Sequence, residues 1–263
     1  MEVLDVASPF LDARSYLVDR AASTQEEAKR LASRWEAEGG EPAFPPGSLV
    51  AAEEQTEGRG RIPGRRWASA PGESLLFTIR LPAETALLHA LPLRIGAAVC
   101  AAASDLASSI GASFREPPRV KWPNDLMLGD GKACGVLCEA GRLGVFAGIG
   151  VNCNQRAFPA DLGGRATSIA IGLGRNVDRW ALLELILERT RLSFEGPSWR
   201  ESVERLLWRM GEEVSFLPGP AAEEGREGER VRARLAGIDE RGALLLERAD
   251  GSVGAYLSGE LRA

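Results

Sequence analysis

The stretch Gly58-Arg59-Gly60-Arg61-Ile62-Pro63-Gly64-Arg65-Arg66-Trp67 sets four guanidiniums among three glycines within ten residues. A planar guanidinium donates in pairs to carboxylate or phosphate, so this stretch is suited to an anion. Glycine loses much backbone entropy on ordering and Pro63 lacks a backbone donor, so the composition predicts a loop rather than a helix or strand. Its glycines run Gly58, Gly60, Gly64, one residue off the dinucleotide spacing G-x-G-x-x-G, and no G-x-x-x-x-G-K-S/T occurs, so neither common phosphate signature is present.

Two further pieces suit anions. Arg119-Val120-Lys121-Trp122-Pro123-Asn124-Asp125 is predicted to run extended, because Pro123 biases Trp122 away from helix. The apolar strand expected over Val145 to Val151 carries Gly148 and Gly150, where something must approach the backbone closely, and it ends at Asn152. Of 32 basic residues only Lys29, Lys121 and Lys132 are lysines, which marks each as a candidate for a task that needs a compact ammonium. Three such pieces in one domain point to the joining of two anions, as when a carboxylate attacks the α-phosphate of ATP. Positioning and charge neutralisation supply most of such catalysis. The single histidine, His89, argues against Ser-His-Asp and Cys-His mechanisms. Cys100, Cys134, Cys138 and Cys153 read as buried thiols of a cytosolic protein, not a metal set.

The elements that must position these residues follow from patterning. The 263 residues, 44% hydrophobic and 26% charged, are ordinary for a globular chain. The net charge of -5 argues against a chain devoted to nucleic acid, and no apolar run approaches the ~20 residues of a membrane span. Ser23-Thr24-Gln25-Glu26 reads as a capping box opening a helix to about Glu38. Strands are expected over Leu49 to Ala52, Ser74 to Leu81 and the hairpin Leu126 to Cys138, with helices over Leu91 to Ser109, Asp178 to Phe194 and Ser198 to Met210. From Gly211 the texture changes to short alternating strands around a tip at Pro218 to Glu229. The prediction is an α+β fold, a mixed sheet packed with helices over residues 1–210, followed by a small β barrel over 211–263.

Ser23-Thr24-Gln25, Gln55 ahead of Gly58-Arg59-Gly60-Arg61, Lys121-Trp122-Pro123-Asn124-Asp125, Lys132 with Gly135-Val136-Leu137-Cys138-Glu139, and Gly148 to Asn152 together resemble the biotin-protein ligases. The tail from Ala236 to Glu260 is similar to that family's C-terminal barrel. The resemblance implies a class II synthetase-like fold with an SH3-like barrel, and a reaction in which biotin and MgATP give biotinyl-5'-AMP and pyrophosphate before a lysine of a biotin carboxyl carrier protein displaces AMP. It implies that Ser23, Thr24, Gln25 and Gln55 hold biotin, with Gly135 beside them, and that Gly58, Arg59, Gly60 and Arg61 close over biotin and adenylate. By the same resemblance Lys121, with Arg59 and Arg61, would be the catalytic cation for carboxylate and phosphate. Arg61, Arg65, Trp67, Lys121 and Asn152 would meet ATP, with Trp67 on adenine, and no metal ligands are implied beyond the Mg2+ carried by ATP. Gln25 stands where the family usually has Asn, Glu57 stands where a small residue is usual, and the loop is one residue longer than the common spacing. That leaves the phosphate contact to either Arg65 or Arg66. Only 22 residues precede Ser23, too few for a DNA-binding domain, so a cytoplasmic enzyme without DNA or membrane partners is expected, as monomer or homodimer. The alternatives are a lipoate or octanoate ligase of the same superfamily and a non-catalytic biotin-binding protein.

Overall fold

A computed structural model describes residues 1–38, 43–62, 64, 66–67, 70–162, 164–195, 198–219 and 230–262. Arg65, Pro63 and most of the tip expected over Pro218 to Glu229 lie outside the described residues. The chain opens with strands β1 (Glu2–Val3) and β2 (Ser15–Ala21), then helix α1 (Thr24–Glu38) and strands β3 (Leu49–Gln55), β4 (Gly58–Arg59), β5 (Arg66–Trp67) and β6 (Ser74–Leu81). Helix α2 (Leu91–Ser109) leads to β7 (Arg119–Lys121), β8 (Asp125–Leu128), β9 (Gly131–Gly141) and β10 (Gly144–Asn152). Helices α3 (Ile169–Leu173), α4 (Arg179–Glu195) and α5 (Trp199–Glu204) follow. The chain ends in β11 (Glu213–Pro218), β12 (Val231–Ile238), β13 (Leu244–Glu247), β14 (Val253–Tyr256) and β15 (Gly259–Arg262).

Eight strands form one mixed sheet in the order β1-β2-β3-β6-β10-β9-β8-β7. Its one parallel pair, β2 with β3, is joined by α1, as a parallel pair requires a crossover. Alternation along the strands divides the core between the two faces. Leu49, Ala51, Leu75, Phe77, Ile79, Val145, Ala147, Ile149 and Val151 face a large cluster with α2 and α4. The intervening Val50 and Phe146, with Tyr16 of β2, face a smaller cluster built on Ala28, Leu31 and Ala32 of α1. Leu31 and Ala32 sit on the inner stripe that the helical period predicts. The 19 residues of α2 reach the length and apolarity of a membrane span, nearer to one than the sequence reading expects, yet 67% of that window is buried inside the molecule.

The last five strands form an antiparallel sheet in the order β14-β13-β12-β11-β15, the SH3-like unit. It shares a core with the larger sheet. The Trp122 ring meets Phe216 edge-on at 5.9 Å, and the Trp122 indole donates to the Gly242 carbonyl at 3.0 Å.

Several expectations change. The Arg-rich stretch is not only loop: Gly58 pairs with Trp67 and Arg59 with Arg66 in a small antiparallel hairpin. A bare Cβ on Gly58 would lie 2.6 Å from the Trp67 carbonyl, so the glycine serves close backbone approach rather than freedom. The helix expected over Ser198 to Met210 stops at Glu204. Beyond it the chain extends along β7, where the Val120 amide donates to the Leu206 carbonyl and the Trp208 amide to the Val120 carbonyl, both at 2.8 Å. Covering that sheet edge satisfies backbone groups that a continued helix would leave open. Strands β1, β2 and β15 and helix α3 have no counterpart in the sequence pattern, while β7 falls in the stretch predicted to run extended.

Candidate active site

The site lies on the α1 face of the large sheet, in a cleft that opens to solvent. Its floor is made by what the strands lack. Gly148 and Gly150 of β10 and Gly135 of β9 share one face, with Gly150 opposite Gly135 and Gly148 opposite Thr78 of β6. A Cβ on Gly148 would fall 2.4 Å from Gln25 Oε1, and one on Gly150 would fall 2.8 Å from Trp67 Cε2. A Cβ on Gly135 would meet Lys132 Nζ at 3.1 Å and the Trp67 ring at 3.3 Å. The close approach anticipated at Gly148 and Gly150 is therefore made by the Gln25 amide and the Trp67 indole.

One end of the cleft is polar and neutral. Ser23, Thr24 and Gln25, each less than 10% exposed, arrive on the first turn of α1, and Gln55 arrives at the end of β3. Ser23 Oγ accepts from the Gln25 amide at 3.2 Å, and the Ser23 carbonyl accepts from the Glu27 amide at 3.1 Å, so the capping role and the lining role coexist at one residue. Gln55 Oε1 accepts from the Thr24 amide at 2.8 Å and from Thr24 Oγ1 at 3.2 Å.

Beside it the rim is ionic. Arg59 of the hairpin pairs with Glu26 at 3.4 Å, and Lys29 pairs with Glu26 at 3.4 Å and Glu139 at 2.5 Å. The Glu139 hydrogen bond outweighs desolvation and, with the added attraction of Glu139 and Glu26, raises the Lys29 ammonium above its ordinary value. These groups are partly exposed, so the chain positions the rim more than it stabilises the fold.

The other end carries cations. Lys132 lines the cleft, pairs with Asp125 at 2.7 Å and lies 5.7 Å from the Trp67 ring centroid. Arg61 also lines it and donates to the Gly259 carbonyl at 3.0 Å, which ties the hairpin to the C-terminal sheet. Gly259 is held against the Phe216 ring, where any Cβ would clash, so the carbonyl that receives Arg61 is fixed by the core of the small sheet. Trp67 covers the floor, and its buried indole N–H has no hydrogen-bond partner among the described residues.

The structure brings Ser23, Thr24, Gln25, Gln55, Arg59, Gly60, Arg61, Trp67 and Gly135 to one cleft, with Gly58 in the hairpin that closes its side. Lys121 and Asn152 are not brought to its lining, and Arg65 lies outside the described residues. The Lys121 ammonium lies 5.1 Å from the Trp208 ring centroid, and burial lowers its pKa against the attraction of Asp125. The lysine in the cleft is Lys132, eleven residues further along the same β7-β8-β9 meander. Asn152, 6% exposed, donates to the Thr167 carbonyl at 2.9 Å, while the Thr167 amide donates to the Lys132 carbonyl at 3.0 Å. It braces the strand that carries Lys132. Lys132, Glu26 and Asn124 also line the cleft and carry no site role on sequence grounds, although the scarcity of lysine marks Lys132.

A glycine-floored cleft with amide and hydroxyl groups at one end and a lysine and an arginine at the other defines a site for an elongated organic acid. Set on a mixed sheet with an appended SH3-like unit, it is the biotin ligase type of α+β fold. The Biotin/lipoate A/B protein ligase family model matches residues 26–155. The biotin-[acetyl-CoA-carboxylase] ligase of Paracoccus denitrificans is 30% identical over 246 residues, covering 88% of this chain and 92% of that protein. The bifunctional ligase/repressor BirA of Bacillus subtilis is 31% identical over 255 residues, covering 89% of this chain and 69% of that protein. The Aquifex aeolicus biotin protein ligase, solved in complex with biotin and ATP, superposes with a TM-score of 0.75 at 29% identity, covering 94% of this chain and 97% of that one. The chain belongs to the biotin-protein ligase family.

Proposed function

We propose that this chain is an ATP-dependent biotin-protein ligase acting through biotinyl-5'-AMP. A biotin carboxylate oxygen attacks the α-phosphorus of ATP and pyrophosphate leaves; the ε-amine of a carrier-protein lysine then attacks the acyl carbon and AMP leaves. The observation that carries this reading is the polarity of the cleft. Biotin is a cyclic urea, with one acceptor and two N–H donors, joined by an aliphatic chain to a carboxylate. The Ser23, Thr24, Gln25 and Gln55 end matches the urea, the apolar stretch between the two ends, where the Trp67 indole lies on the glycines, matches the rings and chain, and Lys132 with Arg61 matches the carboxylate and phosphate. Octanoate and lipoate have no urea, so they would leave the buried amides at the first end unpaired, which is costly.

The role that the resemblance gave Lys121 passes to Lys132. Two anions repel as they meet, and a cation at the meeting point that is already in place costs no reorganisation. Asp125 holds the Lys132 ammonium at 2.7 Å and Asn152 steadies its strand through Thr167. Arg61, anchored on the Gly259 carbonyl, is the second cation, and Trp67 offers its indole face to adenine. Among the described residues no three His, Cys, Asp or Glu side chains group to hold a metal, so Mg2+ would arrive with ATP and would supply further charge neutralisation at the phosphates. The carrier supplies its own nucleophile to an activated mixed anhydride, so no histidine base is required. Four free cysteines agree with the reducing cytoplasm, where ATP and the carrier are found.

The test is transfer of labelled biotin to a purified biotin carboxyl carrier domain. Label is expected on the acceptor lysine only with ATP present; label that appears without ATP, or never, overturns the assignment.

A further inference from the structure

Thr78 lies on β6 opposite Gly148, is fully buried, and has no part in the chemistry above. Its hydroxyl oxygen is 2.9 Å from Thr24 Oγ1. Counting donors along this contact fixes its direction. The Thr24 backbone amide can only donate, and it donates to Gln55 Oε1, which settles which end of the Gln55 amide is oxygen. Thr24 Oγ1 is also 3.2 Å from Gln55 Oε1, an atom that can only accept, so the Thr24 proton points to Gln55. Thr24 Oγ1 is then left as the acceptor, and the Thr78 proton points to Thr24. Three groups in series, Thr78 to Thr24 to Gln55, leave the Gln55 Nε2 group directed away from the relay as a donor. A Cβ on Gly58 would lie 3.2 Å from that Nε2, so the hairpin strand also keeps space open in front of it.

We propose that Thr78 is a positioning residue for substrate recognition: its buried hydroxyl holds the Thr24–Gln55 pair so that Gln55 presents N–H donors, and not a carbonyl, to the urea oxygen of the bound acid. The inference rests on the reading of the cleft as a biotin site. It adds a specificity device beneath the lining, because a head group with a donor in place of the urea oxygen would meet N–H against N–H.

The experiment uses the full chain with Thr78→Val, which keeps the branched shape and removes the hydroxyl, and Thr78→Ser, which keeps the hydroxyl. Biotin-dependent pyrophosphate exchange is measured with biotin and with its cyclic guanidine analogue 2-iminobiotin. Direct biotin binding by calorimetry and a thermal melt accompany each variant. For Thr78→Val the KM for biotin is expected to rise roughly five- to tenfold with kcat within about twofold, the scale of one hydrogen bond. The preference for biotin over the guanidine analogue is expected to fall by at least about threefold, because Gln55 is then less firmly held as a donor. Thr78→Ser should restore both. An unchanged KM and preference in Thr78→Val overturns the proposal, as does an equal loss in both variants accompanied by a lowered melting temperature, which would mark Thr78 as packing alone. Wild-type protein that does not bind biotin overturns the cleft reading and the relay together. Wild-type binding without turnover leaves the relay to be judged by calorimetry on the two variants.

Discussion

Replacing Lys132 by Met is the most informative single perturbation of the site. Met keeps an unbranched stem against the Trp67 ring, so the packing of the floor is retained while the charge is lost. The ammonium lies 2.7 Å from Asp125 with its side chain 35% exposed, so it is neither fully desolvated nor fully screened. For two unit charges about 4 Å apart at an effective dielectric near 20, the attraction is about 4 kcal/mol. Donors placed at developing charge typically contribute about 2.7–4 kcal/mol, a factor of roughly 10²–10³ in kcat. Lys132→Met is therefore predicted to lower biotin-dependent pyrophosphate exchange by roughly 10²–10³, with biotin affinity in the absence of ATP changed by less than about tenfold. Lys121→Met is the paired control. Its ammonium lies against Trp208 outside the cleft lining, and burial already disfavours its charge. Exchange within about tenfold of wild type and a melting temperature equal or higher are predicted, because a neutral side chain removes a desolvation cost. If Lys121→Met abolishes exchange while Lys132→Met retains it, the assignment of roles is reversed and the reasoning from cleft lining fails.

Three further outcomes follow from the packing and the thiols. Gly150→Ala places a methyl 2.8 Å from Trp67 Cε2, so the indole must move; we expect a shifted tryptophan emission, a stability loss of about 1–3 kcal/mol and a raised KM for ATP, and unchanged emission would show that the ring does not rest there. Phe216→Ala removes a fully buried ring that touches both Trp122 and Tyr256. A loss of about 3–5 kcal/mol in one cooperative denaturant transition is predicted, whereas two separated transitions would mean that the sheets do not share a core. Burial pushes the Cys153 thiol up to about 12, so its contribution to stability is complete below the ordinary value of 9.0 and is lost as pH rises from there toward 12. Cys153→Ala should flatten the alkaline decline across that window, as read from urea midpoints at successive pH values, and an identical decline in the variant would rule the thiol out.

Long periodic segments were legible from the sequence. The bounds of α2 and β6 match expectation because each has an uninterrupted period and clear ends, and Asp178 caps α4 as read, its carboxylate accepting from the Trp180 amide at 2.8 Å. The polar end of the cleft was legible as motifs, since Ser23-Thr24-Gln25 and Gln55 do meet. The choice between Lys121 and Lys132 was not, because spacing along an extended run does not say how far across the sheet each residue falls. The pairing of Lys121 with Asp125, and of Asp125 with Gly135, puts Lys121 on the same face as the glycines but on the edge strand two places beyond Gly135, whereas Lys132 lies against Gly135 and Trp67. The contact of the segment after α5 with the β7 edge was hidden for a similar reason: Ser198 to Met210 has a helical pattern, and the tertiary need to cover Val120 overrides it. Thr78 carried no signal at all, since an alternating strand puts a threonine inside without saying what its hydroxyl meets.

The central claim is that this cleft activates biotin in preference to other acids. Pyrophosphate release from ATP by the purified full chain, with biotin, lipoate and octanoate supplied in turn, tests it most directly. Release with biotin and little with the other two is predicted; release with lipoate or octanoate but not biotin, or tight biotin binding with no pyrophosphate, contradicts it.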